Sequence, residues 1–105
     1  MESRLRLQEV LENIMYTLTN KKNVYYNPPG TLTMNYPAIR YTLYKIDTKY
    51  ANNSSYVSRK CYMLTVIGKV PNDKIIDELL KLPMCSYNRP YISDNLNHDI
   101  LYLYY

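Results

Sequence analysis

The first twenty residues carry apolar side chains at the spacing of one face of an α-helix. Successive members of the set lie three or four residues apart, which places them on a single stripe. The stripe consists of Leu7, Val10, Leu11, Ile14 and Leu18. The pattern predicts a helix that begins near Glu2 or Ser3 and ends before Asn20.

A short strand is predicted at residues 24–26, because Val-Tyr-Tyr is followed by two prolines that cannot donate to a strand ladder. Residues 30–36 form a loop in this interpretation. Tyr36 is extended because a proline follows it.

Residues 38–51 and 56–69 alternate between two faces and predict two long strands. In the first, one face is assigned Ile39, Tyr41, Leu43 and Lys45, and the other Arg40, Thr42, Tyr44 and Ile46. The second strand is apolar on both faces near its end, which indicates a central position in the sheet under helices on one side. A polar turn at residues 52–55 joins the pair into a long β-hairpin whose tip extends beyond the body.

A second helix is predicted after Pro71, with Asn72 or Asp73 as its cap, ending at Leu82-Pro83. Its apolar face consists of Ile75, Ile76, Leu79, Leu80 and Leu82. Two further strands, at residues 86–93 and 98–105, are joined by a turn at residues 94–97.

The order α-β-β-β-α-β-β predicts an α+β fold. It consists of an antiparallel or mixed β-sheet of about five strands, with two helices packed on one face and a long β-hairpin between strands 2 and 3. The 105 residues contain no linker or repeat, so residues 1–105 are interpreted as a single domain. No run of about 18 apolar residues is present, and we expect neither a membrane span nor a secretory signal.

Few residues are candidates for chemistry. The only histidine, His98, lies near Asp94 and Asp99, which are able in principle to orient a general base, but a structural role at the start of a strand competes with that interpretation. Cys61 is expected to pack as a small apolar group, and Cys85 follows a helix C-terminus, which raises a thiol pKa. With two glycines, no phosphate-binding loop is possible. We therefore expect no enzyme activity, metal or cofactor.

Composition favours an interaction protein. The chain has 14 tyrosines, no phenylalanine and no tryptophan, and its net charge is +4. Tyrosine suits half-exposed positions such as subunit interfaces, although biased base composition explains the count equally well. Lys45 and Lys49 on one arm of the hairpin face Arg59 and Lys60 on the other in this interpretation, either as a solvated surface or as contacts to an anionic partner.

Several motifs resemble the tail-terminator (tail-completion) proteins of long-tailed bacteriophages. Residues 24–29 and 34–39 are similar to a "VYYQPP … MxYPAI" opening. Further matches run in the same order through Pro71-Asn72-Asp73 and Leu82-Pro83 to the Asp-Asn-Leu-Asn-His-Asp run at 94–99. The matches extend from about Leu5 to Tyr105.

The resemblance implies a virion structural protein that acts at the tail and neck and is made in the host cytoplasm. Such a protein assembles as a hexameric ring on the head-proximal end of the tail tube. Its partners are other copies of itself, the major tail tube protein and the head-completion (stopper) protein, and DNA only passes through the lumen. The candidate interface residues are Tyr25, Tyr26, Pro28, Pro29, Met34, Tyr36, Lys45, Lys49, Arg59, Lys60, Asp94, Asn95, Leu96, Asn97 and His98.

Two alternatives stay open at this stage. One is a head-completion protein, a stopper or connector at the same neck. The other is a small basic nucleic-acid-binding protein, which the pI near 9.0 and the tyrosines available for base stacking favour.

Overall fold

The computed structural model describes residues 2–30, 32–50 and 56–105, and within them five strands form one mixed sheet with two helices. In chain order the elements are α1 (Glu2–Thr19), β1 (Val24–Tyr26), β2 (Ala38–Tyr50), β3 (Tyr56–Gly68), α2 (Asp73–Leu80), β4 (Cys85–Ser93) and β5 (Leu96–Tyr104). The strand order is β1-β2-β3-β5-β4, with β1 parallel to β2 and every other pair antiparallel. This confirms the predicted α+β class. In the described part of the chain, neither helix is both long and apolar enough to cross a membrane.

The core lies between the two helices and one face of the sheet. Leu7, Leu11 and Met15 of α1 are fully buried, and Ile14 and Leu18 pack against them from the edge. The buried stripe therefore differs slightly from the predicted one: Met15 is fully buried, whereas Ile14, predicted to lie on the stripe, is only partly buried. From the sheet, the core receives Val24, Ile39, Tyr41, Tyr62, Leu64, Val66, Leu101 and Leu103.

The central position predicted for the second long strand is confirmed, since β3 lies between β2 and β5. Leu64 faces the helices and is fully buried. On the opposite face, Thr65 and Ile67 are also buried, although no helix covers that side among the described residues. We call this second side of the sheet the open face.

A β-bulge in β2 makes the prediction of which β2 side chains share a face of the sheet wrong after Leu43. The register with β3 passes from Leu43↔Tyr62 directly to Lys45↔Cys61, so Tyr44 is an extra residue. Lys45 therefore lies on the open face with Cys61, and not with Ile39 and Tyr41 as predicted. Ile46 is likewise moved to the helix side.

The β2–β3 hairpin extends past the rest of the sheet. Pairing of β3 with β5 ends at Cys61↔Tyr104, whereas pairing of β2 with β3 continues from Ile46↔Lys60 to Tyr50↔Tyr56. Residues 46–50 and 56–60 therefore form a two-stranded segment, which we call the arm. The turn predicted at residues 52–55 lies outside the described residues.

The β4–β5 connection is tighter than predicted. Only Asp94 and Asn95 form the turn, and their φ angles of 53° and 60° match a two-residue hairpin turn with both central residues left-handed. Leu96 and Asn97 already belong to β5, so the turn predicted at 94–97 is two residues shorter. Asp and Asn tolerate these φ angles, which explains why they stand at the turn.

Candidate interaction surfaces

Three tyrosines on the open face form a cluster at the base of the arm, which we call the tyrosine patch. The rings of Tyr44 and Tyr102 lie 4.8 Å apart between centroids. The Tyr104 hydroxyl donates a hydrogen bond of 2.8 Å to the Asp47 carboxylate. Tyr44 is 53% exposed, so much of this aromatic surface faces solvent. Aromatic side chains of this kind are enriched in the centres of protein interfaces.

Cations surround the tyrosine patch. Lys45, Arg59 and Arg89 are exposed on the open face, and Asp47 is the acidic residue among them. Lys45 contacts Asp47 at 3.8 Å, and a hydrogen bond to Tyr104, with the charge of Asp47, raises the Lys45 pKa. The result is a basic surface with an aromatic centre.

The predicted pairing of cations across the hairpin is wrong. Arg59 lies opposite Asp47, and Lys60 lies opposite Ile46 on the helix side of the sheet. The bulge at Tyr44 is the reason, because it shifts the register of every residue that follows it in β2. Lys49 lies opposite Val57, and its side chain is outside the described residues.

The loop after β1 crosses part of the open face. Pro28 and Arg40 line a shallow gap of about 190 Å³ over Met63 and Thr65. The Thr42 hydroxyl donates to Asn27 Oδ1 at 2.8 Å, which fixes the start of the loop on β2. Pro29 is exposed, so the loop presents part of the predicted interface to solvent.

The tyrosines flanking this loop are engaged within the chain. Tyr25 accepts a hydrogen bond of 3.3 Å from the Asn35 backbone N–H. Tyr26 packs against Tyr41 at 4.9 Å, with the Arg4 guanidinium 4.5 Å over its ring, so it belongs to the edge of the core. Met34 and Tyr36 are half-buried, and the Tyr36–Pro37 peptide bond is cis.

A groove of about 460 Å³ lies at the other end of the sheet, between the start of α2 and strands β4 and β5. We call it the β4–α2 groove. Its walls include the apolar side chains of Pro71, Pro90 and Ile92, and the carboxylates of Asp73 and Asp99. Ile92 is 75% exposed, which is unusual for an isoleucine and leaves an apolar rim facing solvent.

A hydrogen-bond network holds Asp99 in the wall of the groove. The Tyr87 hydroxyl donates to Asp99 Oδ1 at 2.7 Å, and Asn72 Nδ2 lies 3.4 Å from Asp99 Oδ2. Asn72 occupies the N-cap position of α2, but its side chain makes no capping bond, in contrast to the predicted role. Any side chain on Gly68 would collide with the Asn72 carboxamide, since a Cβ there would lie 2.3 Å from Oδ1. Although Tyr87 is 40% exposed, desolvation of its hydroxyl and the bond to Asp99 raise its pKa to about 12.

His98 has a structural position. It is 8% exposed, its ring stacks on Tyr91 at 4.5 Å between centroids, and its Nδ1 lies 3.1 Å from the Leu96 carbonyl oxygen. Asp99 is the next residue of β5 and therefore points to the other face of the sheet. The hypothesised orientation of His98 by Asp99 is thus absent from the structure.

The thiol pKa values of both cysteines are raised above the ordinary value. Cys61 is 2% exposed, and its burial raises its thiol pKa. Burial, and not the helix C-terminus invoked from the sequence, raises the pKa of Cys85 to about 11. Within residues 2–30, 32–50 and 56–105, no three His, Cys, Asp or Glu side chains lie close enough to hold a metal ion.

Comparison with known sequences gives no match, either to a protein family or to a curated protein. The surfaces themselves therefore carry the functional argument.

The predicted interface residues separate into groups along the molecule. Lys45 lies at the base of the arm and Arg59 lies within it, whereas Asn97 and His98 line the β4–α2 groove at the far end of β3 and β5. Sequence reasoning missed the tyrosine patch and Ile92, and it assigned Asp99 to His98, whereas the structure pairs it with Tyr87 and Asn72. The sequence shows that Tyr102 and Tyr104 alternate with leucines and therefore share one face of a strand. It does not show which face of the sheet lacks a helix.

Proposed function

We propose that this protein is a virion structural protein, a tail terminator that forms a hexameric ring at the head-proximal end of a phage tail tube. The motif resemblance across residues 5–105 supports the proposal. In this role the ring stops polymerisation of the tube and joins the tail to the head-completion protein.

The arm is the observation that carries the proposal. An isolated two-stranded hairpin is marginally stable in water, because it has no third strand or helix to cover it. Here the arm continues beyond the last pair of β3 with β5, and Ile46 at its base is 50% exposed. In a ring, contact with a neighbouring subunit would cover the arm and stabilise it.

The two ends of the molecule differ in chemistry, which supports a ring over a symmetric dimer. The arm and tyrosine patch are basic and aromatic, whereas the β4–α2 groove is apolar and acidic. Closed rings require interfaces that pair one patch with a different patch on the neighbour. The same asymmetry gives the ring two unlike faces, one for the tube and one for the neck.

Electron microscopy of particles produced without this protein tests the proposal. Loss of a terminator predicts overlong tails and heads without tails. Full-length tails beside heads that leak DNA would contradict it and favour the stopper, the first alternative. Complementation with the wild-type chain is the control.

The tyrosine patch with Lys45, Arg59 and Arg89 favours a second candidate, a nucleic-acid-binding protein, because stacking rings beside cations suit single-stranded nucleic acids. Such a protein binds an oligonucleotide with an affinity that falls steeply with salt. Titration of the purified protein with labelled DNA at low salt separates the two, since a tail terminator needs no such affinity.

A further inference from the structure

Asp99 is a buried carboxylate with neutral hydrogen-bond partners. It is 8% exposed, and the groups that contact it are the hydroxyl of Tyr87 and the carboxamide of Asn72. Among the described residues, those that line the β4–α2 groove include Asp73 as a second carboxylate and neither lysine nor arginine. Removing a charge from water is costly unless a counter-charge accompanies it. A cation entering this groove would therefore be stabilised.

The walls of the groove suit a long cationic side chain. Pro71, Pro90 and Ile92 are apolar, and they can pack against the aliphatic stem of an arginine or lysine while the charged head reaches the carboxylates. The volume of about 460 Å³ is much larger than a single ion requires. The groove therefore fits a segment of polypeptide better than a free cation.

Arg59 on the arm is a suitable partner. Its side chain is exposed, and no hydrogen bond or ion pair joins it to another residue in the described part of the chain. Its cross-strand neighbour Asp47 is already engaged by Tyr104 and Lys45. The guanidinium is thus free to pair with a carboxylate of another surface, where its planar donors match a carboxylate well.

Arg59 cannot reach the groove of its own chain. It lies nine residues before Gly68 on β3, and Gly68 pairs with Asn97 at the groove. Nine residues of extended strand span about 30 Å, which exceeds the length of any side chain. Pairing between the arm and the groove must therefore occur between two copies.

We propose that the β4–α2 groove is the docking site for the arm of a second copy of this chain, with Arg59 of the arm facing Asp73 and Asp99 of the groove. The inference rests on the proposed function, because it names the two surfaces that meet in the ring. Each copy then offers one arm and one groove, so association proceeds head to tail until the ring closes.

Two surface variants test the proposal. Arg59→Glu reverses the charge of the arm, and Ile92→Lys places a cation on the exposed rim of the groove. Each is expected to weaken association of the purified chain at least about tenfold, because each puts like charges together across the contact. Lys21→Glu and Leu5→Lys are matched controls at exposed positions on α1 and its following loop. Circular dichroism verifies that all four variants fold.

Mixing the two variants distinguishes this arrangement from others. Alone, each variant stays monomeric in sedimentation analysis, whereas the mixture assembles in one-to-one proportion, because the intact arm of one variant meets the intact groove of the other and the two altered surfaces carry opposite charges. Normal assembly by either variant, or a mixture that stays monomeric, would overturn this proposal. The proposed ring would remain compatible with either result, but its subunits would meet through other surfaces. A wild-type chain that never assembles would instead refute the proposed function, and this inference with it.

Discussion

The two faces of the sheet differ in how they are completed. On the helix side, Leu64 and Leu101 are fully buried beneath α1 and α2. On the open face, Tyr44 and Tyr102 contact each other but remain partly exposed beside cations. The helix side holds the main hydrophobic core, whereas in the proposed function the exposed part of the open face contacts a partner. A protein that acts by assembly needs both, and here one strand, β3, supplies residues to each.

Truncation of adjacent residues in β3 should show the largest contrast. Leu64 faces the helices and is fully buried, whereas Met63 lies on the open face and is half-buried. We expect Leu64→Ala to cost about 2–5 kcal/mol of unfolding free energy, because it leaves a cavity in the core. Met63→Ala should cost less than half as much. Urea unfolding of both variants measures the difference, and equal losses would contradict the distinction between the faces.

Alkaline unfolding should reveal the Tyr87–Asp99 bond. The Tyr87 pKa is about 12 in the folded chain and 10 for an ordinary tyrosine, so the native state holds this proton more tightly. The stabilisation is therefore complete below pH 10 and is lost as the pH rises from about 10 to about 12.

Tyr87→Phe should cost about 1 kcal/mol at pH 8, since it removes one hydrogen bond to a buried carboxylate. The variant should also lose less stability than wild type between pH 10 and 12. Urea unfolding at several pH values measures both effects, with Tyr16→Phe on the exposed surface of α1 as the control. Parallel pH profiles of Tyr87→Phe and wild type would show that the bond does not affect stability.

The smallest effect is expected for Tyr104→Phe on the open face. Loss of its hydroxyl frees Asp47, which then competes for Arg59 across the hairpin. The thermal midpoint should not change measurably, because the hydroxyl is on the surface, and self-association should weaken a few-fold. Calorimetry and sedimentation measure these separately. A large drop in the thermal midpoint with unchanged self-association would contradict this account, because Tyr104 would then stabilise the fold and not the contact between copies.

Much of the fold follows from local patterns in the chain. The period of α1 and the alternation in β2, β3 and β5 are strong signals, because helices and strands place side chains at fixed intervals. The apolar character of both faces near Ile67 correctly indicated that β3 is central.

The candidate interaction surfaces were harder to predict from the sequence. The bulge at Tyr44 carries no distinct local signal, yet it exchanges the faces of Lys45 and Ile46. The proximity of Asn72 to Asp99 joins residues far apart in the chain, and a Cβ at Gly68 would displace the Asn72 carboxamide from its place beside Asp99. Such relations depend on how strands and helices meet, which a single sequence does not encode in any short motif.

Self-association of the purified chain tests the central claim most directly. Sedimentation equilibrium over a wide range of concentrations should give a closed assembly with six times the mass of one chain, and no larger species. A single monomeric species at every concentration would contradict the account, because neither the arm nor the β4–α2 groove would then have a partner in another copy.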